Sequence, residues 1–195
     1  MIDFNDLSLW NTDKQALDSL KDPIVAIKST EGLKITDPKF LSRSVLFNEQ
    51  VVIAYHFCRC DLNYNDPEAE ALAYLKALKK GARKYVMALD FEGPCKSSTR
   101  DLNALVRMIK FIMTKTGKEP YVYINESMLT QAKRLGYDFS WLWIAKWGSK
   151  PKYPCGLWQY TNRAYGQNLD RNHFMVDDLE LLKRHEVNAN EFNFL

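Results

Sequence analysis

Capped helical segments alternate with short β-branched or aromatic runs through the first three quarters of this chain, and that alternation leaves few folds open. Thr12 and Gln15 form a capping box ahead of Ala16, Leu17 and Leu20, and Asp37-Pro38 opens a second helix carrying Phe40, Leu41 and Val45. Asp66-Pro67-Glu68 opens a third, closed by Gly81. Ser98 with Asp101 caps the longest, in which Leu102, Leu105, Val106, Ile109, Ile112 and Met113 keep a helical period until Gly117; a weaker helix follows near residues 128–135. Strand-like runs lie between them at residues 24–27, 51–57, 85–89, 121–124, 142–145 and 157–160. Strands and helices in turn predict a parallel sheet with right-handed crossovers, either doubly wound or closed into a barrel. Past Ile144 the helices stop and Gly, Pro and Asn loops join the extended pieces, so a β-meander is expected to close a barrel there. Residues 188–195 read as a loosely packed tail.

A chain of 195 residues, 46% apolar, has enough hydrocarbon for one core, and no linker, repeat or low-complexity tract divides it. A single domain is expected. The net charge of +3, with no basic tract longer than that of Leu78-Lys79-Lys80, argues against nucleic acid while mildly favouring an anionic polymer. No apolar stretch is long enough to span a membrane, and Met1-Ile2-Asp3 leads into folded-looking sequence without the regions of a secretory signal, so synthesis in a cytoplasm is expected. Cys58, Cys60, Cys95 and Cys155 lack metal-site spacing and read as unbridged, partly buried thiols suited to a reducing compartment; neither a metal nor another cofactor is expected.

The chemistry concentrates at Asp90-Phe91-Glu92, which closes the apolar run Tyr85-Val86-Met87-Ala88-Leu89 and precedes Gly93-Pro94. Side-chain direction in a strand repeats every second residue, so both acids fall on one face. Like charges held that close repel, and one carboxyl keeps its proton long enough to donate it to a leaving oxygen. In a βα barrel, functional groups gather at the C-terminal ends of strands. Asp3, Lys28 through Gly32, Tyr55-His56, Asp90 with Glu92, and Tyr123 with Asn125 all fall at such ends, while Trp143, Trp147, Trp158, Tyr160 and Tyr165 crowd the last third. Duller readings compete: a surface ion pair for Glu31 and Lys28, a hydrogen-bonded core residue for His56, core filling for the tryptophans, and a solvated strand end for the acid pair.

Eight stretches, in order, resemble glycoside hydrolase family 25, the Chalaropsis-type lysozymes: Ile2-Asp3; Lys28-Ser29-Thr30-Glu31-Gly32 with Asp37 and Phe40; Ala54-Tyr55-His56-Phe57; Leu89-Asp90-Phe91-Glu92; Tyr121-Val122-Tyr123; Leu142-Trp143-Ile144-Ala145; Trp158-Gln159-Tyr160; and Gly166 to Asp170 with Asn172 and Phe174. The resemblance implies an irregular TIM-like barrel of about five βα units followed by three strands with few helices. It also implies a phage-endolysin-like N-acetylmuramidase that cuts the β-1,4 bond between N-acetylmuramic acid and N-acetylglucosamine in peptidoglycan. By motif position Glu92 is the implied general acid, Asp90 its partner, and Asp3 and Asp170 further acids. Tyr55, Tyr123 and Trp143 would line the sugar site, joined by Glu31, Lys28 and Trp147 as substrate-binding positions. The expected form is a monomer without a separate wall-binding domain, reaching the cell wall only after release.

Strand residues two apart have Cα atoms roughly 6.6 Å apart and side chains that project in parallel, whereas a protein nucleophile sits about 5 Å from the acid across the sugar ring. Asp90 is poorly placed for that role, so attack by the sugar's own N-acetyl carbonyl is expected, oriented by Asp90. The family's opening reads glycine, Ile-Asp-Val-Ser and a tryptophan; here Met1 replaces the glycine, Phe4-Asn5-Asp6 intervenes before Ser8 and Trp10, and Trp147 stands where a tyrosine is common. The rival readings are a catalytically inactive carbohydrate-binding barrel and a metal-dependent phosphodiesterase using Asp90, Glu92 and His56.

Overall fold

Successive residues along each strand enter two different cores, and that division closes the sheet. The computed structural model describes residues 1–176 and 178–194. Strands β1 (Ile2–Leu7), β2 (Ile24–Glu31), β4 (Val51–Phe57), β5 (Lys84–Asp90), β6 (Tyr121–Asn125), β7 (Leu142–Ala145), β8 (Leu157–Thr161) and β9 (Asp170–Phe174) pair in a ring; β3 (Ile35–Thr36) and β10 (Glu186–Asn188) extend the sheet at β2 and β5. Phe4, Ile24, Ala26, Ile53, Tyr55, Val86, Ala88, Tyr123, Trp143, Leu157 and Phe174 pack together inside the ring. Their strand neighbours Leu7, Val25, Ile27, Val52, Ala54, Met87, Leu89, Val122 and Ile144 face outward, where they meet the helices. A near-continuous apolar strand of this kind is what a sheet buried on both faces requires.

The crossover helices are α1 (Asp13–Asp18), α2 (Phe40–Leu46), α3 (Cys60–Asn63) with α4 (Pro67–Gly81), α5 (Thr99–Thr116) and α6 (Glu126–Arg134). Thr12 and Gln15 form their reciprocal cap, and Asp66, Ser98 and Asn125 accept from the first turns of α4, α5 and α6. The stop of α4 differs from expectation: the left-handed cap is Ala82 at φ 51°, and Gly81 is helical. A Cβ on Gly81 would stand 1.9 Å from the Tyr85 hydroxyl, so space, not backbone freedom, selects glycine.

Five βα units are followed by three strands, and the last third departs in detail from the expected meander. β8 runs parallel to β7 after the crossing of residues 146–156, and among the eight strands of the ring only β9 is antiparallel, to both β8 and β1. A connection of that length spans the barrel from end to end, which a hairpin turn cannot do. One short helix, α7 (Leu179–Lys183), also appears there. The tail expected to pack loosely from residue 188 is docked instead: Asn188 ends the strand Glu186–Asn188 that pairs with β5, Ala189 and Phe192 are buried, and Lys79 Nζ donates to the Phe192 carbonyl at 2.6 Å. Leu195 lies outside the described residues. Among the described residues no helix is long and apolar enough to cross a membrane.

Candidate active site

Asp90 continues the inward series Val86, Ala88 of β5, and Glu92 extends it two residues beyond the strand. The chain stays extended that far because its backbone is pinned on both sides. The Cys58 amide donates to the Asp90 carbonyl at 2.9 Å, and the Phe91 amide donates to the Tyr123 carbonyl at 2.9 Å. Phe91 is fully buried on the outer side, which holds the alternation. Gly93, at φ +60°, then turns the chain away. Asp90 and Glu92 both line a cleft of about 210 Å³ at the barrel mouth, together with Asp6, Ser8, Trp10, Lys28, Tyr55, Phe57, Tyr123, Trp143, Gln159 and Asp170.

The acid that β1 supplies to this cleft is Asp6, not Asp3. The two are three residues apart and therefore point to opposite faces; Asp6 shares the parity of Phe4, inside the barrel, near the strand's C-terminal end. Asp3 starts the strand on the outer face, 43% exposed, where it pairs with His173 Nδ1 and lies 3.7 Å from Arg171. The sequence carried a signal for this: Asp6 stands two before Ser8 and four before Trp10, the spacing of the family's opening. Asp170 begins β9, and because β9 runs against its neighbours, its first residue lies at the rim where the parallel strands end.

Four carboxyls in so small a cleft cannot all ionise freely. Burial, then the Glu92 charge, pushes Asp90 well above the usual carboxylate range. Its Oδ1 is buried without a hydrogen-bond partner among the described residues. Burial raises Glu92 too, followed by the charge of Asp6, with Tyr123 opposing. Asp170 is pushed up to about 8 by burial and by Asp6. Asp6 is itself raised by burial, against hydrogen bonds from Asn172 and Gln159. The cleft therefore stores protons near neutral pH, which is what general-acid work needs.

The remaining expected positions divide. Tyr55 and Tyr123 come from β4 and β6, T-shaped against the buried Trp143, with ring centroids 6.3 and 5.1 Å away. Lys28 lines the cleft and pairs with Glu31 at 2.8 Å; a bulge between Lys28 and Thr30 turns both to one side. Glu31 itself stands beside the cleft, 3.5 Å from Arg59. Trp147 is 60% exposed at the rim, and its Nε1 donates to Gln159 Oε1 at 3.2 Å. Trp158 and Tyr160 face outward, with Tyr160 stacked on His173. His56 is buried on the outer face between Thr30 at 2.7 Å and Glu70 at 2.9 Å, so it cannot join Asp90 and Glu92 in a metal site. Among the described residues no cluster of His, Cys, Asp or Glu is suited to a metal ion, and the four cysteines are unbridged.

Ser8, Trp10, Phe57 and Gln159 join the cleft without having been singled out for it. Trp10, 84% exposed, crowns a rigid turn whose carbonyls are held by Arg43 and Lys39: Arg43 Nη1 donates to Ser8 O at 2.7 Å, and Lys39 Nζ to Asn11 O at 2.8 Å. Asp37 Oδ2 accepts from the Leu9 amide at 2.7 Å. No local pattern in the sequence reports that bracing, since its partners lie about one βα unit away.

A closed βα barrel with acids from three strands converging at one rim, two of them at the end of a single strand, is built for acid–base chemistry, and the family its sequence matches makes it a glycoside hydrolase. The chain belongs to glycosyl hydrolases family 25, whose description matches residues 5–169. Among solved structures, a family 25 glycosyl hydrolase from Bacillus anthracis superposes with a TM-score of 0.75 at 23% identity, covering 94% of this chain and 93% of that one. A muramidase from Acremonium alcalophilum gives 0.73 at 24% identity, covering 97% and 99%. The catalytic domain of endolysin ply40, from bacteriophage P40 of Listeria monocytogenes, gives 0.71 at 23%, covering 94% and 97%. At these identities the likeness is one of fold. No curated protein matches the sequence.

Proposed function

We propose that this protein is an N-acetylmuramidase that hydrolyses the β-1,4 bond between N-acetylmuramic acid and N-acetylglucosamine in peptidoglycan. Glu92, kept protonated by burial and by the charge of Asp6, donates its proton to the glycosidic oxygen as that bond breaks. The N-acetyl carbonyl of the same sugar attacks the anomeric carbon and closes a cationic five-membered ring. With the proton held on Glu92, the charge that helps raise Asp90 is removed and Asp90 is the ionised partner: it accepts the amide N–H and stabilises the developing positive charge. Glu92, now ionised, takes a proton from water as that water opens the ring, so the first product retains its configuration. Asp6 and Asp170 set the charge around Glu92; Tyr55, Tyr123 and Trp143 line the sugar site.

The observation that carries this reading is Asp90 Oδ1, buried and unpartnered on the same face as Glu92. An amide N–H from the substrate is the donor such an atom lacks. The shared parity of Asp90 and Glu92 supports assistance by the substrate over a protein nucleophile, which would have to approach the opposite side of the ring.

Peptidoglycan turbidity and mass spectrometry of the digest test the proposal together. Wild-type protein is expected to clear the suspension and leave muramic acid at the new reducing ends, and Glu92→Gln to do neither. Glucosamine at those ends, or binding without lysis by the wild type, would overturn the muramidase reading. A glycosyl ester trapped on Asp90, or an inverted first product, would overturn substrate assistance alone. Light scattering checks the accompanying reading that the active species is one chain.

A further inference from the structure

Gln159 and Asn172 each end in a primary amide beside Asp6, and in both cases an indole N–H decides which way the amide faces. An indole nitrogen only donates, so the atom it meets must be the amide oxygen. Trp147 Nε1 donates to Gln159 Oε1 at 3.2 Å, and Trp143 Nε1 donates to Asn172 Oδ1 at 2.9 Å. Both NH2 groups are thereby turned toward one carboxylate oxygen. Asn172 Nδ2 donates to Asp6 Oδ2 at 2.8 Å, and Gln159 Nε2 donates to the same atom at 3.3 Å. An oxygen that accepts two N–H bonds is a poor seat for a proton. Asp170, opposite Asp6 in the register, receives no side-chain amide among the described residues.

We propose that Gln159 and Asn172 are positioning residues whose amides, locked by Trp147 and Trp143, hold Asp6 as the ionised member of its pair with Asp170 and leave the pair's proton on Asp170. The consequence reaches the acid: a fixed negative charge at Asp6 favours the protonated form of Glu92. This deepens the reading above, since it rests on the cleft being the hydrolytic site. The other groups facing the pair are Asp90 and Glu92 at the end of β5, Tyr55 from β4, Tyr123 from β6, and Lys28 from β2, the only cation among them. The Tyr123 hydroxyl lies 3.1 Å from Gln159 Oε1 and also reaches Glu92, so it donates to one at a time; the indole of Trp147 is what fixes the Gln159 amide.

Gln159→Leu removes one donor to Asp6 and leaves a shorter apolar side chain in its place. The acid limb of its kcat/KM profile, where Asp6 ionises, is expected to move up by about one pH unit, the worth of a hydrogen bond to a charged group. Trp147→Phe, a change at an exposed rim position, is expected to move it less in the same direction and to add nothing in the Gln159→Leu background, because it acts through Gln159. A lower kcat/KM with an unmoved limb would overturn the proposal, as would shifts that add in the double variant. Should Gln159→Leu not fold, Trp147→Phe alone carries the test. An inert wild type would sink the hydrolase reading instead. Infrared titration of the buried carboxyl bands needs no substrate and still decides: a band shifted in Trp147→Phe supports the relay, and an unshifted one removes it.

Discussion

Asp6 of β1 and Asp170 of β9 face each other directly in an antiparallel register, with their side chains hydrogen-bonded inside the barrel mouth. Like charges directly opposite on a sheet repel, so this pair holds together only by sharing a proton. Three residues back, on the other face of the same strand pair, Asp3 meets His173 in the complementary arrangement of acid and base.

That contrast separates two acids of β1 by experiment. Asp6→Asn is expected to lower kcat/KM by about 100-fold or more, the scale of losing an electrostatic group aimed at a reacting centre. Asp3→Asn, at a half-exposed ion pair outside the cleft, is expected to stay within about threefold and to cost less than about 1 kcal/mol of stability. Peptidoglycan hydrolysis and thermal melting of both variants check this; a loss of activity confined to Asp3→Asn would reverse the assignment.

Stability should fall as pH rises, because the native cleft holds protons the unfolded chain releases. The Asp170 carboxyl moves from an ordinary 3.8 to about 8 in the folded protein, through burial first and the Asp6 charge second. Its contribution is fully present below the lower value and is lost as pH rises through the higher one. Asp170→Asn carries no such proton, so its melting temperature at pH 8 is expected to exceed that of the wild type by at least about 2 °C, the shift made by 1 kcal/mol in a domain of this size. Near pH 4 the two should converge. Melting curves that stay parallel from pH 4 to 8 would contradict this.

Replacing a helical glycine by alanine ordinarily stabilises a helix by about 1 kcal/mol. At Gly81 the sign should reverse. The added methyl would displace the Tyr85 hydroxyl from its bond to Ser44 Oγ, 2.9 Å long and fully buried. A loss of about 1–3 kcal/mol in denaturant unfolding is expected, typical of overpacking. A more stable Gly81→Ala would show that Tyr85 can move aside.

Much of this fold was legible along the chain because its signals are local. Helix caps lie three residues from the backbone groups they satisfy, and the shared face of Asp90 and Glu92 follows from a period of two within one strand. The same period misled where its phase was unknown: Asp3 and Asp6 both belong to β1, the spacing from Asp6 to Ser8 and Trp10 was the one signal along the chain for the right acid, and the inward position of Phe4 is what puts Asp6 inside the barrel. The tail was misjudged for a similar reason, since residues 188–194 carry few local signals and are held by contacts distant in the chain, Asn188 by pairing with β5 and Phe192 by burial and by Lys79.

The amino-acid sequence by itself determined the alternation of strands and helices, the acid pair that ends β5, and the family to which they point, all written in residues a few positions apart. Tertiary structure alone decided that Asp6 stands against Asp170, that β9 runs backward so its first residue reaches the rim, and that Trp147 aims the Gln159 amide at Asp6. Those contacts join residues 12 to 164 positions apart in the chain. Their protonation is set by burial and by neighbouring charge, which exist only once the barrel has closed.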